Sequence, residues 1–280
     1  MKTSRTSLIL VNGTVILLAA IWTIPTLGLF ITSFRTKAAI SESGWWSVFT
    51  HPGGFSLDNY NNVIFGGDGL GTAFLNTLAV TIPAVVIPIL IAAFAAYAFT
   101  FMQWRGRDLM FVVIVGLLVV PNQVAFVPLV KLYGALGMNG TFPAVWLAHI
   151  GFGMPLAIYI LRTYMSGLPT AIIESANIDG ASHFTTFWRL IMPMSTPALA
   201  SVAIFQFLWV WNDLLVALIF LGRGENTVAT VALQGLQGQT GAGRELIPAA
   251  GFITIIVPIL VFLSLQRYFI RGMTSGAVKG

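Results

Sequence analysis

Two groups of residues in this 280-residue chain have types and spacings that could do chemistry. The first is Glu174-Ser175-Ala176 followed by Asp179-Gly180-Ala181. Pro169 suits the first position of a helix. Ile172, Ile173 and Ala176 stand at i, i+1 and i+4, which gives that helix an apolar face. Asp179-Gly180 then reads as its break, and a second amphipathic stretch, Ser182–Met192, ends at Pro193. A short helix with an apolar face must bury it on its own membrane domain, on lipid headgroups or on a partner subunit, and the spacing favours none of these. The second group is Asn122, Gln123, Gln206, Asn212 and Asp213, polar side chains set in or beside apolar runs, with Trp209 and Trp211 next to the last pair. Such residues are costly in lipid and usually face the bundle interior. Amides hydrogen-bond hydroxyls in both directions, and aromatic faces stack on a pyranose ring. The same amides can equally join helix to helix, and Asn212-Asp213 can serve as a gate or a structural cap.

Other chemistry lacks its residues. There is no cysteine, which excludes disulfides, thiolate nucleophiles and cysteine metal sites. His51, His149 and His183 are scattered without metal-ligand spacing. Gly67-Asp68-Gly69-Leu70-Gly71 brushes against a phosphate-loop pattern, but no strand precedes it. No G-x-x-x-x-G-K-[ST] motif and no Gly-Lys pair occur, so the chain is not expected to hydrolyse ATP by itself. No basic run interleaves with aromatics, which argues against nucleic acid as a partner. A membrane-embedded enzyme would need a nucleophile–base pair or clustered carboxylates, and the nine acidic residues form neither. A stand-alone secondary transporter of small polar solutes is the other alternative. Inverted repeats or an intramembrane charged relay would mark it, and Asp213 is the single plausible buried acid.

The elements that must position these residues are membrane helices. The chain is 57% hydrophobic and 8% charged, against about 25% charged in soluble domains, so lipid must be its solvent. Apolar runs long enough for spans of about 20 residues fall at Leu8–Phe34, Thr72–Met102, Leu109–Val130, Phe142–Leu161, Pro197–Leu221 and Ile247–Gln266. The first is too long for a signal peptide and lacks a cleavage site. It reads as a retained helix kinked near Pro25. This divides the chain into an N-terminal helix and external loop (1–71), a core of five helices (72–266) and a cytoplasmic tail (267–280). The core includes a cytoplasmic loop at 162–195. With the N-terminus inside, the fourteen Lys and Arg divide nine to five in favour of the cytoplasm, and both termini are expected there. Arg35 and Lys37 run against that pattern.

Glu174-Ser175-Ala176, Asp179-Gly180-Ala181 and Ile191-Met192-Pro193 together resemble the EAA loop of binding-protein-dependent ABC importers, with Ser175 and Met192 as departures. Asn76-Thr77, Ala95-Ala96-Tyr97-Ala98-Phe99, Pro121-Asn122-Gln123, Trp211-Asn212-Asp213 and the tail Thr274–Gly280 extend the likeness to carbohydrate permeases of the maltose transporter's smaller membrane subunit type. Gly151–Ala157 and Phe205–Trp209 look closest to α-glucoside permeases. The resemblance implies an all-α integral membrane fold of six transmembrane helices, the type I ABC importer permease fold, in the bacterial plasma (inner) membrane. It implies as partners a second homologous permease subunit, two ATPase subunits and an external sugar-binding protein. No cofactor is expected in this chain, since ATP and magnesium would sit on the ATPases. Glu174, Ala176, Asp179, Gly180 and Ala181 would then couple to an ATPase, and Asn122, Gln123, Gln206, Trp209, Asn212 and Asp213 would be candidates for the sugar path.

Overall fold

A computed structural model describes residues 5–66, 70–236 and 243–277, with side chains described for 7–66, 70–236 and 243–266. Lys2, Gly67-Asp68-Gly69, and the side chains of Arg5, Arg267, Arg271 and the Thr274–Gly280 tail lie outside the described residues. Among the described residues the ordered backbone is helical apart from one isolated antiparallel bridge, Arg35–Phe55. In chain order the helices are α1 (Arg5–Ser33), α2 (Lys37–Glu42), α3 (Asp58–Phe65), α4 (Leu70–Phe101), α5 (Arg107–Gly116), α6 (Asn122–Ala135) and α7 (Phe142–Met165). There follow α8 (Thr170–Ile178), α9 (His183–Thr186), α10 (Met192–Met194), α11 (Thr196–Trp211), α12 (Leu215–Phe220), α13 (Ala229–Leu236) and α14 (Ile247–Ala277).

Among the described residues, four unbroken helical stretches are long and apolar enough to cross a membrane: Ser7–Ser33, Leu70–Phe101, Phe142–Met165 and Arg244–Gln266. Two bent pairs bring the total to six, Arg107–Val119 with Asn122–Ala135 at 98° and His183–Met194 with Thr196–Trp211 at 74°. In lipid a hydroxyl must find its partner inside the protein. Thr14, Thr23, Thr100, Thr163 and Ser201 each return theirs to the carbonyl four residues back.

Two of the apolar runs are not single helices. The run Leu109–Val130 breaks at Pro121: proline pushes its predecessor out of the helical region, and Val120 is extended at ψ 120°. The run Pro197–Leu221 ends its helix at Trp211, and α12 begins only at Leu215. Hydropathy averages across such breaks; backbone chemistry does not. The stretch Ser182–Met192 is also no single amphipathic helix. It is the short α9, a π-helical turn at Phe187–Ile191, and then α10.

The chain forms two compact units, Met1–Gly71 with Ala232–Ile256 and Thr72–Val231 with Val257–Gly280. In the first, Val63, Leu70, Leu246, Ala249 and Ala250 make a small core. Arg35, counted in the sequence as a charge against the topology, is only 3% exposed. Its guanidinium donates to the carbonyls of Ala39 and Ser43 and to the Ser43 hydroxyl at 2.6–2.8 Å. It therefore acts as a structural tie rather than a surface charge. Lys37 is paired with Glu245 at 2.7 Å. Trp45 packs flat on the backbone of α1, where a Cβ at Gly28 would lie 2.6 Å from its Nε1.

In the second unit, Ala92, Ala93 and Ala96 of α4 are fully buried with Leu161 and Met165 of α7 and Phe187 and Ile191 of the π-turn. Small residues let helices approach closely where lipid supplies no hydrophobic drive between them. A second cluster centres on Val145 and Ala148 of α7, Phe126 of α6 and Phe220 of α12. Asn76 donates to the carbonyls of Glu225 and Thr227, and Thr77 accepts from the Ala229 amide. Both residues thus stitch α4 to the start of α13 and the segment before it.

The Gly28–Trp45 contact gives a direct check. Gly28→Val should lower stability by about 1–3 kcal/mol, the usual cost of overpacking, read as a lower midpoint of thermal unfolding in detergent. In a Trp45→Ala background the same substitution should cost much less, because the clashing ring is gone.

Candidate functional site

The first constellation is the helix α8. Pro169 stands at its N-cap, one position before the first helical residue, and its carbonyl accepts from the Ile172 amide. Ile173 and Ala176 are buried, and Ile173 joins the cluster of Leu161, Met165, Phe187 and Ile191. The apolar face of the helix is therefore covered by the chain's own membrane domain. Glu174 and Asp179 stand exposed on the outside. Two large apolar side chains remain uncovered nearby, Ile178 at 85% and Phe184 at 68% exposure.

The helix ends in a Schellman motif. Gly180 has φ +75°; its amide donates to Asn177 O at 3.1 Å, and the Ala181 amide donates to Ala176 O at 2.9 Å. A Cβ at Gly180 would meet nothing within 4 Å. Within this chain the glycine answers to backbone sign, not to space. Ser182 then caps α9 by accepting from the Thr185 amide. The unit is seated on α4 through the Tyr97 hydroxyl and His183 Nδ1, 3.0 Å apart, and through the stacked rings of Phe94 and Phe187, 4.3 Å apart.

The second constellation is a cavity of about 510 Å³ within the second unit. It opens where α5 and α6 part at Pro121, and its walls come from that break, from α7 and from α11. Three of the six sequence candidates for a solute path meet there: Asn122, Gln206 and Trp209. Gly151–Gly153 and Phe205 line it as well. Most of the wall is aliphatic or aromatic, with two amides as its polar points. Few polar groups in an apolar wall is the usual build of a small-molecule site.

Gln206 is buried, and its Nε2 donates to Ala84 O at 3.1 Å and to His149 O at 3.5 Å. It ties α11 to α4 and α7 while lining the cavity. Gly153 makes room for it, since a Cβ there would lie 2.5 Å from the Gln206 Oε1.

The other candidates lie elsewhere. Gln123 is exposed and does not line the cavity. Asn212 folds back on α11, its Nδ2 donating to Leu208 O at 2.8 Å. Asp213 caps α12 by accepting from the amides of Val216 and Ala217 at 3.3 and 2.9 Å. Trp211, which shares a helix with Trp209, is core: it stacks on Phe207 and meets Phe74 edge-on. A residue outside the sequence candidates is His149, a polar side chain within the apolar run Phe142–Leu161, whose ring is 1% exposed and lies against both Trp209 and Asp213.

Comparison with known proteins follows the same lines. The family described as "Binding-protein-dependent transport system inner membrane component" matches residues 88–275. The osmoprotective compounds uptake permease protein GgtD of Synechocystis is 52% identical over 95% of this chain and 90% of its own length. The alpha-glucoside transport system permease protein AglG of Rhizobium meliloti is 54% identical over 82% of this chain, which spans 62% of that relative. Among solved structures, a bacterial ABC transporter that imports the acidic polysaccharide alginate contains a chain of the same fold. It matches with a TM-score of 0.77 over 96% of this chain and 99% of that one, at 21% identity.

Gly153 and Gln206 supply a test of how the cavity wall is built. Gly153→Val should cost about 1–3 kcal/mol in detergent unfolding, because it drives a side chain into a fixed amide. Gln206→Leu, which gives up the bonds to Ala84 and His149, should cost only about 0.5–1 kcal/mol, the usual worth of such bonds between membrane helices.

Proposed function

Since the chain belongs to the family of binding-protein-dependent transport system inner membrane components, we propose that it is the permease subunit of an ATP-driven importer for an α-glucoside or related glycoside. The observation that carries this reading is a coincidence of position. Gly151–Ala157 and Phe205–Trp209, the two stretches that look like α-glucoside permeases in sequence, are distant in the chain, and both contribute walls to the one cavity. The alpha-glucosides carried by the relative at 54% identity support a hydroxyl-rich solute, and the relative at 52% identity takes up osmoprotective compounds. Asn122 and Gln206 would meet its hydroxyls, and Trp209 would stack on a ring.

In this reading the chain pairs with a second, similar permease and receives solute from an external binding protein. The alginate transporter related in fold has been solved with a periplasmic protein bound, which supports such a partner. Two ATPase subunits would hold ATP and magnesium. Their rigid-body closure needs a stiff receiver, and α8 fits that role: its inner face is anchored in the membrane domain while Glu174, Ile178, Asp179 and Phe184 remain free to meet a partner. Closure with ATP would open the path outward, and hydrolysis would return it inward.

The test is co-purification of the ATPase, followed by hydrolysis stimulated by loaded binding protein in reconstituted vesicles. Gly180→Ala introduces left-handed strain of about 1–2 kcal/mol without bulk, so it should weaken coupling only modestly. Gly180→Arg adds bulk at the same point, and Glu174→Lys reverses charge on the exposed face; both should release the ATPase or uncouple it. Wild-type behaviour of Gly180→Arg would sink the assignment of this loop as the coupling element.

Both termini are proposed to be cytoplasmic, on the excess of Lys and Arg in the segments assigned to that side. Reporter fusions at Gly280 should then be active in the cytoplasm, and fusions in the 221–228 loop active outside. The opposite pattern would reverse the topology.

A further inference from the structure

His149 lies on α7 one turn before Gly153, with its ring buried. Three residues of α11 and its C-terminal break converge on it. The Trp209 ring stands perpendicular to the imidazole, with centroids 5.1 Å apart and planes at 89°. Gln206 donates to the His149 carbonyl at 3.5 Å. Asp213 Oδ2 is 3.8 Å from His149 Nε2, within ion-pair reach but beyond hydrogen-bond length. The other ring nitrogen, Nδ1, is buried with no partner.

A buried imidazole with neither nitrogen hydrogen-bonded is unfavourable. If packing against Trp209 were its whole purpose, phenylalanine would serve better at this position. Asp213 is not free to come to it. That carboxylate is held by the Val216 and Ala217 amides at the start of α12, and the Asp213 carbonyl accepts from the Thr230 hydroxyl at 2.6 Å. The acid is anchored, so a closer contact between the two must come from the imidazole side. Bringing Nε2 from 3.8 Å to a hydrogen-bond length near 2.9 Å shifts the ring by about 1 Å, and Trp209 rests against that ring.

We propose that His149 is a positioning residue for the solute path: drawn toward Asp213, it sets the attitude of Trp209 in the cavity wall and so favours solutes that present a ring to stack. This rests on the reading of the cavity as the glycoside path. His149 does not itself line the cavity, and it acts through Trp209.

The test uses the complete transporter in membrane vesicles, with initial uptake of radiolabelled trehalose (two rings) and methyl α-glucoside (one ring) normalised to assembled complex. His149→Phe keeps a ring but removes the nitrogen that faces the acid. Asp213→Asn keeps an oxygen to cap α12 but removes the charge. Each should slow uptake of both glycosides about fivefold through a raised KM, as for the loss of one aromatic contact. In a Trp209→Ala background neither should slow uptake further. Wild-type uptake in either single variant overturns the proposal, as does a double variant whose loss is the product of the two singles. In those cases a defect in Trp209→Ala alone leaves the cavity reading standing. Wild-type uptake in Trp209→Ala overturns both. Failure of both His149→Phe and Asp213→Asn to assemble assigns the pair to the fold and overturns the proposal as well.

Discussion

Backbone amides and carbonyls in lipid must find partners within the protein, because there is no water to take them. This constraint governs where the chain is allowed to stop being a helix. Its helices are interrupted at Pro121, at Ser195 and at Asn212–Leu214, and each interruption is compensated. Around Pro121 the Val120 amide turns back to Leu117 O and the Val124 amide to Pro121 O. At Ser195 the amide returns to Ile191 O, and the Tyr164 hydroxyl reaches Met194 O. At the third break the Asp213 carboxylate takes up free amides of α12. Irregular backbone is tolerated in a membrane protein only where it is covered or lines a cavity. The cavity lies at the first of these breaks, the Phe187–Ile191 π-turn leads into the second, and the third carries the acid that faces His149.

Much of this was legible in the residues. Length and hydropathy marked the four unbroken membrane helices, and the spacing of Ile172, Ile173 and Ala176 marked the apolar face of α8, of which Ile173 and Ala176 are buried. What averaging could not supply was continuity. Leu109–Val130 is as apolar as a span must be, yet one pyrrolidine ring turns it through 98°. Proline was visible at position 121; its effect depends on whether neighbouring helices repair the lost bond, as they do for Pro83 and Pro88 inside α4, and a single sequence does not state that. Arg35 fails in the opposite sense. Charge counting treats it as a topology signal, while its carbonyl partners at Ala39 and Ser43 lie close along the chain and turn it into a tie.

The candidate site was half legible for a related reason. Asn122, Gln206 and Trp209 were singled out as polar or aromatic residues in apolar surroundings, and they share a cavity. Gln123, Asn212 and Trp211 satisfied the same criterion and face elsewhere, because one step along a helix turns a side chain by about a quarter of a circle. Trp209 lines the cavity and Trp211 fills the core. His149 was missed because a buried histidine has no periodic signature, and its two ring contacts come from distant residues. A search for intramembrane polar residues that includes histidine would have found it.

The cavity and α8 are supported by shared helices. α4 carries Tyr97 and Phe94, which seat the segment after α8, and also Ala84, whose carbonyl holds Gln206 at the cavity wall. α7 carries Gly151–Gly153 in that wall and ends in Leu161 and Met165, against which Ile173 packs. A displacement of α8 cannot be absorbed locally, because its buried face meets residues with almost no free volume around them, and packed interiors shift between discrete arrangements rather than yielding continuously. Strain applied at Ile173 and Phe187 must therefore pass into α4 and α7. α7 forms part of the cavity wall, where a Cβ at Gly153 would lie 2.5 Å from Gln206 Oε1, and α4 meets that wall through the bond from Gln206 to Ala84 O. If α8 receives the movement of an ATPase, as proposed above, the tight packing at Ile173 and Phe187 would carry it into α7 and α4 and so to the cavity wall.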